Sequence, residues 1–513
     1  MSAFASAFNP YILTILIVLP IAGALVIAFL PKASRRLIYG FSIAVFTLTF
    51  ICSLHLPFRY DIGAGGMQFA LSVNWISTFG ISYAVAADGV AVLLIVLTTF
   101  VFLAGAIATG SVESLQKEYA VALCILEAAV IGVFSASDML LFYVFWEAML
   151  IPAALLIAVW GGAERIRAAY TFFFFTFAGS IFMLIAMIVL ANQHVLAGGT
   201  VSFAIADAPQ TILALRSSLA PQAFFTFQLL LFLGFMAAFA VKTALFPLHI
   251  WAPDTYSQAP TFVTVVLAAV LLKMGGYGIW RFILPLFPDA VIAARPYVMM
   301  LGVIGIVYAA VIAITEKNIK RVIAYASVSH IGLAVAAMFS LTVTGITGGI
   351  LQLVVHGIAI GMIFLLAGML FRRSMRFSVD EHGGLAKAMP LFSIFFVVSA
   401  LAVIGLPMTG NFIAEILSLM GIMQYRVWMG VIAVLGPVLS AVYALTLVRK
   451  TVFGPLSRQS DASLGDIKAR EAAPLAVMLI LVIIIGVYPK PVLSLIEPGV
   501  KAMLASHYPT VMK

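Results

Sequence analysis

Charge is what this chain has least of. Asp, Glu, Lys and Arg make up 9% of its 513 residues, against about a quarter in a soluble globular protein. Apolar residues make up 64%, so a water-soluble globule is excluded. Cysteine is almost absent: Cys52 and Cys124 lie in separate apolar runs without metal-ligand spacing and read as inert thiols. There is no Gly-rich phosphate loop, no Cys cluster and no pair of histidines at metal-ligand spacing. Redox chemistry or nucleotide binding on this chain therefore has no basis in its motifs. The net charge of +9 follows from the loops and gives no nucleic-acid footprint. A basic n-region is also lacking in "MSAFASAFNPYILTILIVLPIAGALVIAFLPKASRR", whose apolar run exceeds a signal core and precedes its basic cluster. It reads as a first membrane helix with an outside N-terminus, not as a cleaved signal.

What the chain does have is many continuous apolar runs of membrane-spanning length. Lipid offers no partner for backbone N–H and C=O groups, so a spanning segment must be a helix or part of a closed barrel. Runs near 20 residues select helices, because barrel strands alternate over about 10. The pattern predicts an all-α, polytopic integral membrane protein of about fourteen helices. Residues 1–118 hold three helices and an outside hairpin at 57–88, where "MQFALSV" alternates after "GAGG". Helices 4–8 fill 119–285, helices 9–13 fill 296–451, and 473–513 holds a last membrane helix, read as 473–496, and a tail. Placing both termini outside puts most of the 28 Lys and Arg in inside loops, among them Lys32, Arg35, Lys317, Lys320, Arg321, Arg372, Arg373 and Arg458. Outside segments keep Arg59, Arg216, Arg281, Arg295, Arg426, Lys490, Lys501 and Lys513. This is the expected cytoplasmic excess. Only Lys242 and Lys273 belong to no loop.

The seventh helix, read as 224–251, is interrupted at "KTALFP", and the twelfth, read as 390–420, at "GLPMTGNFIAE". Broken helices five elements apart predict two five-helix repeats, which an odd number of spans forces into inverted orientation, as in transporters. Glu127, Glu147, Lys242, Lys273, His330, His356 and Glu415 all fall well inside helices. A charge at mid-bilayer costs roughly 2.5–3.5 kcal/mol on insertion scales, so the five Lys and Glu cost on the order of 12–18 kcal/mol before pairing. They must face one another or a hydrated interior. Static readings stay open: Glu147 locking helix 5 to helix 7, Lys273 pinned to a carbonyl, the histidines as hydrogen-bonded core, Glu127 as a lysine's partner. His249 and Asp254 read as structural groups near the inner surface, and Trp160, Trp251 and Trp428 as an interfacial belt. The functional reading is a proton switch. A buried lysine holds its proton more tightly when a carboxylate approaches and less tightly when it retreats.

With these residues in hand, the chain resembles the antiporter-like family of respiratory complex I along nearly its whole length. The motifs that carry the resemblance are "FWEAMLIP" (145–152), "AVKTALFPLHIWAPDTYSQAPT" (240–261), "LLKMGGYG" (271–278), "AYASVSHIG" (324–332) and "GLPMTGNFIAE" (405–415). The resemblance implies that Glu147 and Lys242 form a modulating pair and that Lys273 is the central relay. His330 and His356 would extend the hydrophilic axis, Glu415 would guard the outward half-channel, and Glu127 would be a secondary carboxylate. It implies a translocase subunit with no cofactor of its own. NADH, flavin, iron–sulfur clusters and quinone would belong to partner subunits, with the sibling antiporter-like chains L and N and membrane lipids as neighbours. The expected location is the bacterial inner membrane. A subunit of a multisubunit sodium–proton antiporter would share the glutamate and both lysines, but those relatives and the sibling chains favour lysine where this chain has Glu415; a membrane-arm hydrogenase subunit is a related alternative.

Overall fold

The structure is a computed structural model, and it describes residues 9–196, 198–456 and 463–509. The loop placements expected for Arg458 and Lys513 lie outside the described residues. Among the described residues, 13 helices are long and apolar enough to cross a membrane. They are α1 (Asn9–Phe29), α2 (Arg35–Arg59), α3 (Gly89–Thr109), α4 (Gln116–Ser135), α5 (Met139–Trp160) and α6 (Arg165–Val195). After a short α7 (Ala208–Ser218) comes α8 (Pro221–Lys242), then a second short helix, α9 (Trp251–Gln258). The spans continue with α10 (Thr261–Leu286), α11 (Pro288–Thr315), α12 (Ile319–Met338) and α13 (Val343–Ser374). Next come α14 (Pro390–Ile404) and α15 (Gly410–Tyr425), then the spans α16 (Val427–Thr451) and α17 (Ala469–Val487), and last α18 (Lys490–His507).

The element that separates thirteen from the fourteen expected is the broken twelfth helix. Residues 405–409 divide it into α14 and α15, each too short to span alone. The chain's tail departs from expectation as well. The helix expected over 473–496 ends at Val487, and a separate helix starts at Lys490. Pro489 and Pro491 flank that restart; proline lacks an N–H and favours a first helical turn.

The predicted hairpin is present. β1 (Gln68–Ile76) pairs antiparallel with β2 (Ile81–Ala87), and Gly80, at a φ of 67°, closes the turn between them. β2 is tied to the bundle where the Ser137 N–H donates to the Ala84 carbonyl at 2.9 Å.

Two spans are buried along their whole apolar windows, α10 and α13. A helix that is apolar all round belongs in a core, and these two form the axis on which the other helices pack. Lys273 and His356 sit on them, each 0% exposed. The glycines of "KMGGYG" make that approach possible. A Cβ on Gly275 would lie 2.8 Å from the Phe239 carbonyl oxygen, and one on Gly276 would lie 2.7 Å from Leu353.

Candidate functional site

Lys242 is the last residue of α8, and the chain beyond it cannot continue the helix. Ala244 takes a φ of 52° and Pro247 brings no N–H, so the carbonyls at the end of α8 need other donors. Thr243 Oγ1 donates to the Phe239 carbonyl at 2.8 Å, Leu245 N to Ala240 at 2.9 Å, and the Trp251 indole N–H to Val241 at 2.9 Å. The break is thereby satisfied from within the protein, as irregular backbone at membrane depth must be. Trp251, expected in an interfacial belt, is instead 1% exposed. Its donation to the break is the physical reason for its burial.

The Lys242 ammonium is enclosed. Its Nζ lies 3.4 Å from Met149 Sδ, 5.3 Å from the Phe172 ring centroid and 5.6 Å from that of Trp146. Met149 and Trp146 flank Glu147 on α5, so helix 5 meets helix 7 as expected. The direct Glu147–Lys242 ion pair is not formed. Among the described residues no carboxylate forms an ion pair with Lys242, and Glu147 Oε1 has no hydrogen-bond partner. The two groups interact electrostatically across that gap.

The centre of the bundle holds a continuous row. Residues Leu267–Leu271 of α10 form a π-turn, the kind of local irregularity that recurs at functional sites. Its Ala268 carbonyl accepts from Lys273 Nζ at 2.7 Å. The same Nζ is 2.9 Å from His356 Nδ1 on α13, within hydrogen-bond distance. The His356 ring faces that of His330 on α12, centroids 5.2 Å apart. His330 Nδ1 lies 3.2 Å from Glu415 Oε1, an ion-pair contact off the hydrogen-bond line, and its Nε2 is 3.4 Å from the Tyr443 hydroxyl.

Glu415 lies in the second turn of α15, directly after the second break. Gly405 takes a φ of 80°, and a Cβ there would sit 2.4 Å from Glu415 Oε2. The missing side chain is what admits the carboxylate. Gly405→Ala is expected to cost about 1–2 kcal/mol through the left-handed backbone and to push the carboxylate off His330. Thermal unfolding checks this. Unchanged melting would contradict the packing described here.

The chain as a whole has counterparts elsewhere. Residues 136–440 match the family described as NADH:quinone oxidoreductase/Mrp antiporter, TM. The chain belongs to that family. Along 97% of its length it is 39% identical to "NADH-quinone oxidoreductase subunit M" of Rhodobacter capsulatus, 97% of which is covered. It is 36% identical to "NADH-ubiquinone oxidoreductase chain 4" of Chondrus crispus, with 95% of this chain and 96% of that one covered. Among solved structures, a chain of respiratory complex I from Thermus thermophilus is similar with a TM-score of 0.84 and 29% identity, covering 96% of this chain and 99% of that one. A chain of the Mrp complex from Dietzia has the same fold, with a TM-score of 0.82 at 19% identity over 98% of each chain.

Of the residues expected to act in this member of the antiporter-like family, the structure joins Lys273, His356, His330 and Glu415 into one row. Glu147 and Lys242 face the same helix contact without touching. Glu127 stands apart: it is 0% exposed and neither carboxylate oxygen has a partner. His249 stacks on Phe246 with centroids 5.7 Å apart, and Asp254 pairs with Arg321. Several participants escaped sequence reasoning. Gln352 reaches His330 Nδ1 at 3.4 Å; its position four residues before His356, on the same helix face, was a usable signal. Asn411, beside the break, is buried with both amide atoms unpartnered. Tyr443 and the π-turn gave no local signal. Lys320, assigned to an inside loop, is 3% exposed and turned into the protein.

Proposed function

We propose that this chain is a proton-translocating membrane subunit of an NADH–quinone oxidoreductase. The observation that carries the reading is the buried row Lys273–His356–His330–Glu415, which ends at a broken helix. Its support is chemical. Each member accepts and releases a proton, and each stands close to the next. On the helices of the row, Thr347 Oγ1, Gln352 Oε1, His356 Nε2, Asn411 and Ser418 Oγ are buried polar atoms without hydrogen-bond partners. Buried polar atoms of this kind are satisfied by water, and a row of them is what a hydrated proton path requires.

In this reading energy arrives from partner subunits, where NADH is oxidised through flavin and iron–sulfur clusters and quinone is reduced. A changed field draws Glu147 towards Lys242 or lets it withdraw, altering how firmly the ammonium keeps its proton. The proton then moves to Lys273 and along the histidines to Glu415. Residues 119–285 and 296–451 act as two inverted repeats, supported by a break in each at 243–250 and 405–409. The expected setting is the bacterial inner membrane, both termini on the periplasmic side, beside sibling chains L and N.

Assembled complex carrying Glu147→Ala or Lys242→Ala is expected to lose about tenfold or more of its pumping, the scale of a typical coupling between sites. Proton uptake per NADH oxidised, measured in inverted membranes, checks it. Unchanged stoichiometry would remove both residues from the path.

A further inference from the structure

Lys320 is a third buried lysine, and the proton path above does not use it. It occupies the first turn of α12 and has no carboxylate partner among the described residues. Its Nζ donates to the Ala259 carbonyl at 2.6 Å and to Thr264 Oγ1 at 3.3 Å, and it lies 5.0 Å from the Phe377 ring centroid. These contacts reach three separate elements. Ala259 and Thr264 form the elbow between α9 and α10, where Pro260 supplies no N–H. The Thr264 hydroxyl lies within 3.0–3.2 Å of the Tyr256, Ala259 and Pro260 carbonyls, but it has one proton to give. The ammonium supplies what the hydroxyl cannot. It also places a cation at the C-terminal end of α9, where the helix dipole favours one. Phe377 stacks on Phe371 of α13, centroids 4.0 Å apart, and its carbonyl accepts from the Ile319 N–H at 2.8 Å. Lys320 therefore stands where the ends of α10, α12 and α13 meet. Those helices carry Lys273, His330 and His356.

We propose that Lys320 is a positioning residue for proton transfer: its buried ammonium pins the shared ends of α10, α12 and α13 and thereby holds Lys273, His356 and His330 in register. It does not pass the proton itself. The inference rests on the proton-path reading above and adds a residue that no motif in the path requires.

The test uses the assembled complex in proteoliposomes, reading protons per NADH and the pH profile of pumping. Lys320→Met matches the volume and removes the charge. It is expected to lower pumping by about tenfold, the size of a typical coupling between sites. Lys320→Arg keeps a cation and hydrogen-bond donors but holds its proton throughout; it is expected to restore most of the pumping with an unshifted pH profile. Wild-type pumping in Lys320→Met would overturn the proposal. So would an arginine variant as defective as the methionine one, because that result identifies a titrating relay. Should Lys320→Met not assemble, Lys320→Arg and Thr264→Val decide. The valine variant is expected to show a partial loss, and wild-type pumping in it would count against the clamp. Lys273→Met serves as control. If it too pumps normally, the path itself fails; if it is dead while Lys320→Met pumps, only the present inference fails.

Discussion

Lys273→Met is expected to reduce proton pumping to background in a complex that still assembles. The ammonium is 0% exposed and joins the Ala268 carbonyl at 2.7 Å to His356 at 2.9 Å, so it is the link between the α10 π-turn and the histidines. Methionine fits the same space but offers no proton. A positioned acid or base is worth about 10²–10⁴-fold in a proton transfer, and with no parallel link at this point the whole factor should appear in pumping. Lys273→Arg separates this account from a static one. If Lys273 merely locks helix register, arginine should serve, since buried charges can act that way. If it relays protons, arginine should fail as fully as methionine, because a guanidinium does not release its proton at working pH. Pumping and NADH oxidation measured together on the same vesicles give the answer.

Glu415→Gln should have the second largest effect. Glutamine keeps the shape that Gly405 admits, so a loss is not steric. It removes the only carboxylate in the row, 3.2 Å from His330 Nδ1, and with it the last acceptor before the second break. Pumping is expected to fall by about 10²-fold on the same acid–base scale, while thermal stability stays close to wild type. A stable Glu415→Gln complex with full proton stoichiometry would place the exit elsewhere.

How much of this was legible in the sequence follows from which physical rules are local. Hydropathy of a lipid-spanning helix is local, so the span pattern, the hairpin and both breaks could be read directly. The cost of a charge in lipid is also a one-residue quantity, which is why Lys242, Lys273, Glu147 and Glu415 stood out. Contacts across helices are not local. That Lys273 meets His356, that the two histidine rings face each other and that Trp251 turns inward to donate to the α8 break all depend on how helices pack. Lys320 shows the limit most clearly. Beside Lys317 and Arg321 it looks like one more loop charge, and only the elbow carbonyls of α9 and α10 explain why it is buried. The resemblance implied that Glu147 and Lys242 pair, but in the structure Met149 and the rings of Trp146 and Phe172 surround the Lys242 ammonium instead.

The most direct test is the protonation of Glu415 during turnover. Infrared difference spectra of the assembled complex, taken on adding NADH, should show the carbonyl stretch of a protonated carboxyl group rising and falling, and Glu415→Gln should erase that band. A carboxyl signal at this residue that stays constant through turnover, while protons are pumped at full stoichiometry, would contradict the account.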